Sequence, residues 1–251
     1  MNLLFRGICS EFQKTRHLSF QMIHFVVPLC AAMIFVLYYT SSPWDSVVKA
    51  EAYLQALGIG YQLIIALLCV MLSDQEENAG NFQEMLARPQ RAISLYGKLI
   101  HLLLWGLFAI VFACTLFGIG YCLLLKQNQV PFLSYIIAGG ILFGENVLLY
   151  IWHMFLALKF NKSISIGIGI VECLLSALLL TSMGDICWPF IPCAWGSRLV
   201  SFFVRSQVGP LDKPLIAQCH LAITLCAATT LLALVCIEVW FEHWDGRKDN
   251  E

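Results

Sequence analysis

No Asp, Glu, Lys or Arg occurs between Lys98 and Lys126. An uninterrupted apolar run of this length predicts a helix that crosses a bilayer, because a hydrocarbon core of about 30 Å needs about 20 apolar residues in helical form. The same criterion finds five more runs along the chain. The six predicted spans are His17–Tyr39, Tyr53–Leu72, Leu99–Leu125, Val130–Leu158, Ser163–Met183 and Leu215–Trp240.

The composition agrees with an all-α polytopic membrane protein. Of the 251 residues, 59% are hydrophobic and only 12% are charged, whereas a soluble domain is about 25% charged. Helices are required because an open sheet would leave unpaired backbone groups in lipid, and the sequence lacks the alternating pattern of barrel strands. The net charge of -1 offers no broad basic surface to nucleic acid. No linker-like run divides the chain, so residues 1–251 are predicted to form a single transmembrane domain.

The distribution of Lys and Arg predicts the orientation, because cytoplasmic segments carry an excess of these residues. Six spans place both termini on one side. The Lys and Arg residues assigned to the other side are only Lys49, Lys126, Arg198, Arg205 and Lys213. We therefore expect both termini in the cytoplasm. Residues 1–16 are predicted to form an amphipathic helix in the inner interface, with Leu4, Phe5, Ile8 and Phe12 at helical spacing; a frayed tail is the alternative.

A polar stretch, SDQEENAGNFQEMLARPQR (residues 73–91), opens the segment between the second and third spans, residues 73–98. Gly80 permits a bend, and Phe82, Met85 and Leu86 then recur at helical spacing. The pattern predicts a short helix with an exposed apolar patch, which requires a partner. Lipid, another part of this chain and a cytosolic protein are the alternatives.

The pattern Glu77-x-x-Gly80-x-Phe82-x-x-x-Leu86, followed by Pro89-x-Arg91 and Lys98, resembles the cytoplasmic loop of type-2 ABC exporter permeases. In that superfamily the loop carries the coupling helix that docks on an ATPase subunit. The six-span layout and the interfacial helix are similar to the same superfamily. More narrowly, FGENVLLYIWH (143–153) and LALKFNKSISIGIG (156–169) resemble permeases of the MutE/MutG-type lantibiotic-immunity transporters of Gram-positive bacteria.

The resemblance implies that this loop makes or shapes an ATPase contact. The residues implied are Glu76, Glu77, Gly80, Phe82, Met85 and Leu86. The alternative is a solvated loop folded on its own bundle. The sequence has no P-loop, since the nearest glycine spacing, Gly139–Gly144, is followed by Glu145 instead of lysine and lies in a predicted span. ATP and Mg²⁺ are therefore expected on a partner ATPase dimer, and this chain is expected to hold no cofactor, metal or catalytic residue.

Four polar residues fall inside predicted spans: Glu145, Asn146, His153 and Glu172. Ionisable groups in the membrane are costly, so they usually face the bundle interior or a wet cavity. The four residues can line a transport path, hold helices together by hydrogen bonds, or act in catalysis. The catalytic alternative lacks a recognisable motif, since neither H-E-x-x-H nor G-x-S-x-G occurs.

Residues 184–214 form the only long segment predicted on the outer side of the membrane. Their aromatic and apolar content indicates an element that dips into the outer interface, and the resemblance implies short re-entrant or interfacial helices there. Cys187 and Cys193 would face an oxidising compartment and are close enough in sequence to form a disulfide, although spacing does not establish the pairing.

The main hypothesis is a multi-pass permease subunit in a bacterial cell membrane. By resemblance, it would act with an ATPase dimer and with a second permease or a second copy of itself. It would expel a lantibiotic from the bilayer for self-protection. The first alternative is the same machine with another cargo, such as a drug, lipid or ion. The second is a membrane enzyme or sensor subunit that uses the buried carboxylates.

Overall fold

The computed structural model describes residues 3–16, 19–87 and 90–247, and these residues form helices and turns without any strand. The α-helices are α1 (Leu3–Thr15), α2 (Ser19–Ser41), α3 (Ser46–Gly80), α4 (Gln83–Leu86), α5 (Arg91–Ile119), α6 (Phe132–Lys159), α7 (Lys162–Leu179), α8 (Pro192–Ser206) and α9 (Lys213–Glu242). A π-helical turn, Gly120–Leu124, extends α5, and 3-10 turns at Ser182–Gly184 and Trp188–Phe190 join α7 to α8. Six residues of the sequence segments discussed above lie outside the described residues: Met1, Asn2, His17, Leu18, Arg88 and Pro89.

Within the described part of the chain, six helices are long and apolar enough to cross a membrane, which confirms the predicted all-α polytopic architecture. They are α2, α3, α5 with its π-helical turn, α6, α7 and α9. The largest departure from prediction is α3, which extends well beyond Tyr53–Leu72 at both ends. The helix continues there because Glu51 and Glu76 are buried against cations from other helices.

The first helix, α1, lies against α5. It lies at the end of the bundle that carries residues 73–98. We call this end the loop side and the opposite end the far side. Since Leu3–Thr15 is helical, the frayed-tail alternative is wrong for these residues. The buried face of α1 consists of Gly7, Glu11 and Thr15, whereas Leu3 and Phe5 are exposed. The ring of Phe12 packs inward against His101 of α5, and the exposed apolar side chains suit a helix in the membrane interface.

The segment 184–214 contains a helix, α8, that is buried in the bundle instead of lying at its surface. The amide of Gln62 donates to the carbonyl of Cys193 at 2.5 Å, so α8 begins beside the middle of α3. Gln62 lies sixteen residues after Ser46, which places the start of α8 roughly 24 Å along α3 from the far side. At its other end α8 returns to the far side, where Ser201 donates to Glu51. The helix is therefore re-entrant.

The fifth span, α7, ends at Leu179 and not at Met183 as predicted. Arg198 of α8 explains the early end, because its Nε donates to the carbonyl of Leu179 at 2.8 Å and its Nη2 to that of Thr181 at 2.7 Å. The side chain also pairs with Asp185 at 2.9 Å. The last carbonyls of α7 are thus satisfied by a side chain, and the chain can turn into the bundle.

Candidate functional site

The loop between α3 and α5 turns sharply at residues 80–82. Gly80, Asn81 and Phe82 have φ values of 154°, 49° and 64°. The N–H groups of Asn81 and Phe82 donate to the carbonyls of Glu77 and Glu76, which closes the end of α3. A positive φ costs a non-glycine residue roughly 1–2 kcal/mol, so the conformation of Phe82 requires compensation from its side chain.

That compensation comes from burial of Phe82, which is 0% exposed. Its ring meets Trp244 edge-on at a centroid distance of 5.1 Å, and the guanidinium of Arg247 lies 5.3 Å from its centre. Met85 is also buried, and Leu86 is half-buried. Of the three alternatives for the partner of the Phe/Met/Leu patch, another part of this chain covers Phe82, so the patch is not exposed as a whole. The chain beyond α9 folds back over the patch, an arrangement that local spacing does not reveal.

A C-terminal clamp, residues 243–247, holds this position. Arg247 Nη1 pairs with Glu77 Oε2 at 2.6 Å, and its Nη2 donates to the carbonyl of Ala157 at 2.5 Å. Arg91 at the start of α5 donates to the carbonyl of Trp244 at 3.1 Å. Glu77 is thus engaged with the C-terminal clamp in the isolated chain.

Behind the loop lies a network of buried charges. Lys98 Nζ contacts both Glu76 Oε1 and Glu11 Oε2 at 2.6 Å, and Lys98 and Glu76 are only 1% and 2% exposed. Lys14 Nζ reaches Glu76 at 3.0 Å and Glu84 at 2.9 Å. These contacts connect α1, α3, α4 and α5. Sequence analysis identified Glu76 but missed its partners Lys14 and Lys98, and it missed Glu11, which shares both lysines. The available signal was a lone lysine just before a long apolar span.

The charge of Lys14 is maintained by these carboxylates. Burial by itself would lower the pKa of Lys14, but the negative field of Glu11 and the hydrogen bonds with Glu84 and Glu76 outweigh it. The net effect raises the pKa above its usual value, so Lys14 stays protonated at physiological pH.

The part of the loop that remains accessible is polar and small. We call it the loop surface, and it consists of Asn78, Ala79, Gly80, Asn81, Gln83, Glu84 and Ala87. Of the residues that the resemblance assigned to the ATPase contact, Gly80 belongs to the loop surface, whereas Phe82 and Met85 are buried beneath it.

Inside the membrane, the structure brings together two of the four polar residues singled out in the sequence. His153 of α6 is fully buried, and its Nε2 lies 2.8 Å from Glu172 Oε2 on α7. Its Nδ1 lies 3.1 Å from Ser165 Oγ, a partner that the sequence analysis did not identify. The imidazole therefore bridges α6 and α7 by a hydrogen bond on each nitrogen.

The other two polar residues lie apart from this pair. Asn146 donates to the carbonyl of Leu142 on its own helix at 2.7 Å and packs beneath Gly196 of α8. Glu145 faces α9, where Cys226 contacts its carbonyl, and its Oε2 has no partner among the residues that the structure describes.

Glu172 also lines a cavity of about 580 Å³ between α6, α9 and the start of α8. Most of the lining is apolar, including Leu148, Trp152, Phe155, Leu232 and Ile237. A carboxylate at an apolar wall can accept hydrogen bonds from, and pair with, a cationic group. In the described ranges, no cluster of three His, Cys, Asp or Glu side chains could hold a metal ion.

Cys187 and Cys193 are both free thiols, so the disulfide considered from the sequence is not formed. The sulfur of Cys187 faces the preceding turn, 3.8 Å from the carbonyl of Met183. Cys193 is instead buried in the first turn of the re-entrant helix. The fold directs the two side chains into different surroundings.

The chain was compared with known proteins. A comparison with curated proteins gives no match. The family model described as "ABC-2 family transporter protein" matches residues 8–177, from α1 to near the end of α7. This range covers more than half of the chain and includes the loop, the buried charge network and the His153–Glu172 pair. On this evidence the chain belongs to the ABC-2 family of transporter proteins, the membrane permeases of type-2 ABC exporters.

Proposed function

We propose that a separate cytosolic ATPase dimer drives this permease by docking on the loop surface, and that the cargo is an amphipathic antimicrobial peptide of the lantibiotic class. The permease would work beside a second permease or a second copy of itself in a bacterial cell membrane, with the loop side in the cytoplasm. The observation that carries the docking proposal is the loop's construction. Its accessible face is backed by ion pairs that connect α4 and the end of α3 to two other helices, α1 and α5.

This construction suits the transmission of force. Glu84, on the accessible face of α4, contacts Lys14 of α1, and Glu76 contacts Lys98 of α5. A displacement of the loop by an ATPase would therefore move α1, α3 and α5 together. Phe82 and Met85 contribute by holding the loop in shape and not by touching the ATPase.

The docking test requires a substitution on the accessible face, because Phe82→Asp would bury a charge and disrupt the loop itself. Gln83 is exposed on α4, and Gln129 is exposed on the far side. We expect Gln83→Arg to abolish co-purification of the ATPase encoded beside this chain, whereas Gln129→Arg leaves it intact. Co-purification that Gln83→Arg does not weaken would contradict docking on the loop surface.

The cargo proposal rests on Glu172. Lantibiotics are proposed here because a cationic, amphipathic peptide matches an acidic group at the wall of an apolar, membrane-embedded cavity. Such a peptide could enter from the bilayer and place an amine near the carboxylate, which His153 orients.

A matched pair of variants tests this role. Glu172→Gln keeps the shape of the side chain but removes its charge, and Glu145→Gln makes the same change outside the cavity. We expect only Glu172→Gln to lose protection of cells against a lantibiotic, at unchanged membrane abundance. Equal protection by both variants would exclude Glu172 from cargo recognition. If the unaltered permease protects cells against a hydrophobic drug and not against a lantibiotic, the drug is the cargo.

A further inference from the structure

A second cavity, separate from the one beside Glu172, lies between α2, α3 and α5 and has a volume of about 350 Å³. Small residues from the three helices leave the space open: Ala31, Ala56, Gly60, Gly106, Ala109 and Ala113. The lining is apolar apart from the His24 ring and the hydroxyl groups of Tyr61 and Tyr150. A mostly apolar pocket with few polar groups is the usual form of a site for a small apolar ligand.

The cavity is elongated and open at its side. Val27 and Gly60 at its edge are exposed, and a Cβ atom added to Gly60 would meet nothing within 4 Å. The opening lies among three helices long and apolar enough to cross a membrane, so a lipid of the bilayer can reach it. His24 lies five residues into α2, roughly 7.5 Å from its loop-side end, and Phe35 lies roughly 16 Å further along. The cavity therefore follows the direction of a lipid chain.

The polar group that lacks a partner is His24. Its Nδ1 lies 2.7 Å from the carbonyl oxygen of Phe20, and since a carbonyl only accepts, Nδ1 carries the hydrogen. In the neutral ring, Nε2 is then a bare acceptor. The side chain is 1% exposed, and Nε2 has no hydrogen-bond partner in the described part of the chain. The two tyrosine hydroxyls, by contrast, bond to each other at 3.0 Å.

We propose that this cavity binds the chain of a neutral, hydroxyl-bearing single-chain lipid, with the lipid hydroxyl donating to Nε2 of His24. Because the cavity opens at its side, its occupant enters from the bilayer. The apolar lining disfavours an occupant with a charged group. An acceptor-only group, such as an ester or a carboxylate, would leave Nε2 unpaired, whereas a hydroxyl satisfies it. The site goes beyond the proposed export function and depends on neither ATPase docking nor Glu172.

Two probes test the site on the full chain in lipid nanodiscs: a diazirine-bearing monoacylglycerol and the same molecule with its hydroxyls methylated. Photolabelling followed by peptide mapping should place adducts on α2, α3 and α5. We expect the hydroxyl probe to bind about fivefold more tightly, the value of one ordinary hydrogen bond. His24→Phe should remove this preference, and His220→Phe, at an exposed position on α9, should retain it.

Filling the cavity gives an independent test. Gly60→Leu places a side chain in the open space and should reduce labelling by both probes about tenfold or more. Gly140→Leu, at another exposed glycine with nothing within 4 Å of its Cβ position, should leave labelling unchanged. Labelling that resists Gly60→Leu would overturn the site. Equal affinity of the two probes for the unaltered chain would overturn the role of His24, whether or not His24→Phe folds.

Discussion

The two ends of α3 each carry a buried glutamate held by a cation, but the two ion networks differ in burial. On the loop side, Lys98 is 1% exposed and bridges two carboxylates. On the far side, Glu51 is held by Arg205, whose side chain is 56% exposed, and by Ser201 and Gln55. Water can solvate Glu51 in place of much of the Arg205 contact, whereas the buried position of Lys98 is not accessible to water.

This difference bears on function. Removing the partner of a buried charge strongly destabilises the fold, while an exposed ion pair contributes little to stability. The loop-side network, in which Lys98 and Lys14 share Glu76, is therefore a strong link among the first helix, the loop and the third span. The far-side network acts as a softer anchor for the re-entrant helix α8.

The largest effect is expected for Lys98→Met. This substitution removes the more buried of the two cations that Glu76 and Glu11 share and leaves them only Lys14. It should lower the free energy of unfolding by about 3 kcal/mol. Denaturant unfolding in detergent micelles measures the change. Lys126→Met, at an exposed lysine on the far side, should stay within about 0.5 kcal/mol of the parent. Similar losses for the two variants would refute the distinction between buried and exposed charge.

Phe82→Ala should cost about 3 kcal/mol, because it removes a fully buried aromatic ring and the compensation for a positive φ. The loss falls on the loop and the C-terminal clamp and not on the whole bundle. Hydrogen exchange at residues 243–247 should therefore accelerate while exchange in α6 stays unchanged. Phe190→Ala, at a ring that is largely exposed, serves as the control. A uniform acceleration across all helices would argue against a local role.

Arg247→Gln should cost about 2 kcal/mol, since it removes charge-assisted hydrogen bonds to Glu77 and to the carbonyl of Ala157. We expect limited proteolysis to cut the C-terminal clamp faster and the loop to become accessible. If the cutting rate is unchanged, Arg247 does not hold the clamp, and the contacts of Trp244 with Phe82 and Arg91 do.

The smallest effect is expected for Arg205→Gln, about 1 kcal/mol, because Glu51 keeps its bonds with Ser201 and Gln55. The salt dependence of the two stability losses is a further test of the difference between the networks. At 1 M ionic strength the Debye length is about 3 Å, so the cost of Arg205→Gln should vanish while that of Lys98→Met persists. Equal salt sensitivity in the two variants would remove the contrast between the ends of α3.

Much of the fold was predictable because a bilayer imposes simple rules on a sequence. Apolar run length predicted six spans, and the spans observed among the described residues agree in number and approximate position. Helix ends were predicted less well. The ends of α3 and α7 are decided by Glu51, Glu76 and Arg198, whose partners are far away in sequence.

The candidate site shows the same division. The presence of His153 and Glu172 in neighbouring spans was visible in the sequence, but their contact and the bond to Ser165 depend on how α6 and α7 rotate against each other. The direction in which Phe82 points was likewise undetermined, because the residues that cover it, Trp244 and Arg247, come from the end of the chain.

The sequence by itself determined that this chain is an all-helical membrane protein with six spans and a polar loop similar to that of type-2 exporters, because hydrophobic length and motif spacing are local properties. Only the tertiary structure decided which faces are accessible. It buried Phe82, paired Lys98 with two carboxylates, turned α8 back into the bundle and left Nε2 of His24 without a partner among the described residues. Burial and pairing of charge arise from residues distant in sequence, and a pattern along one segment does not contain them.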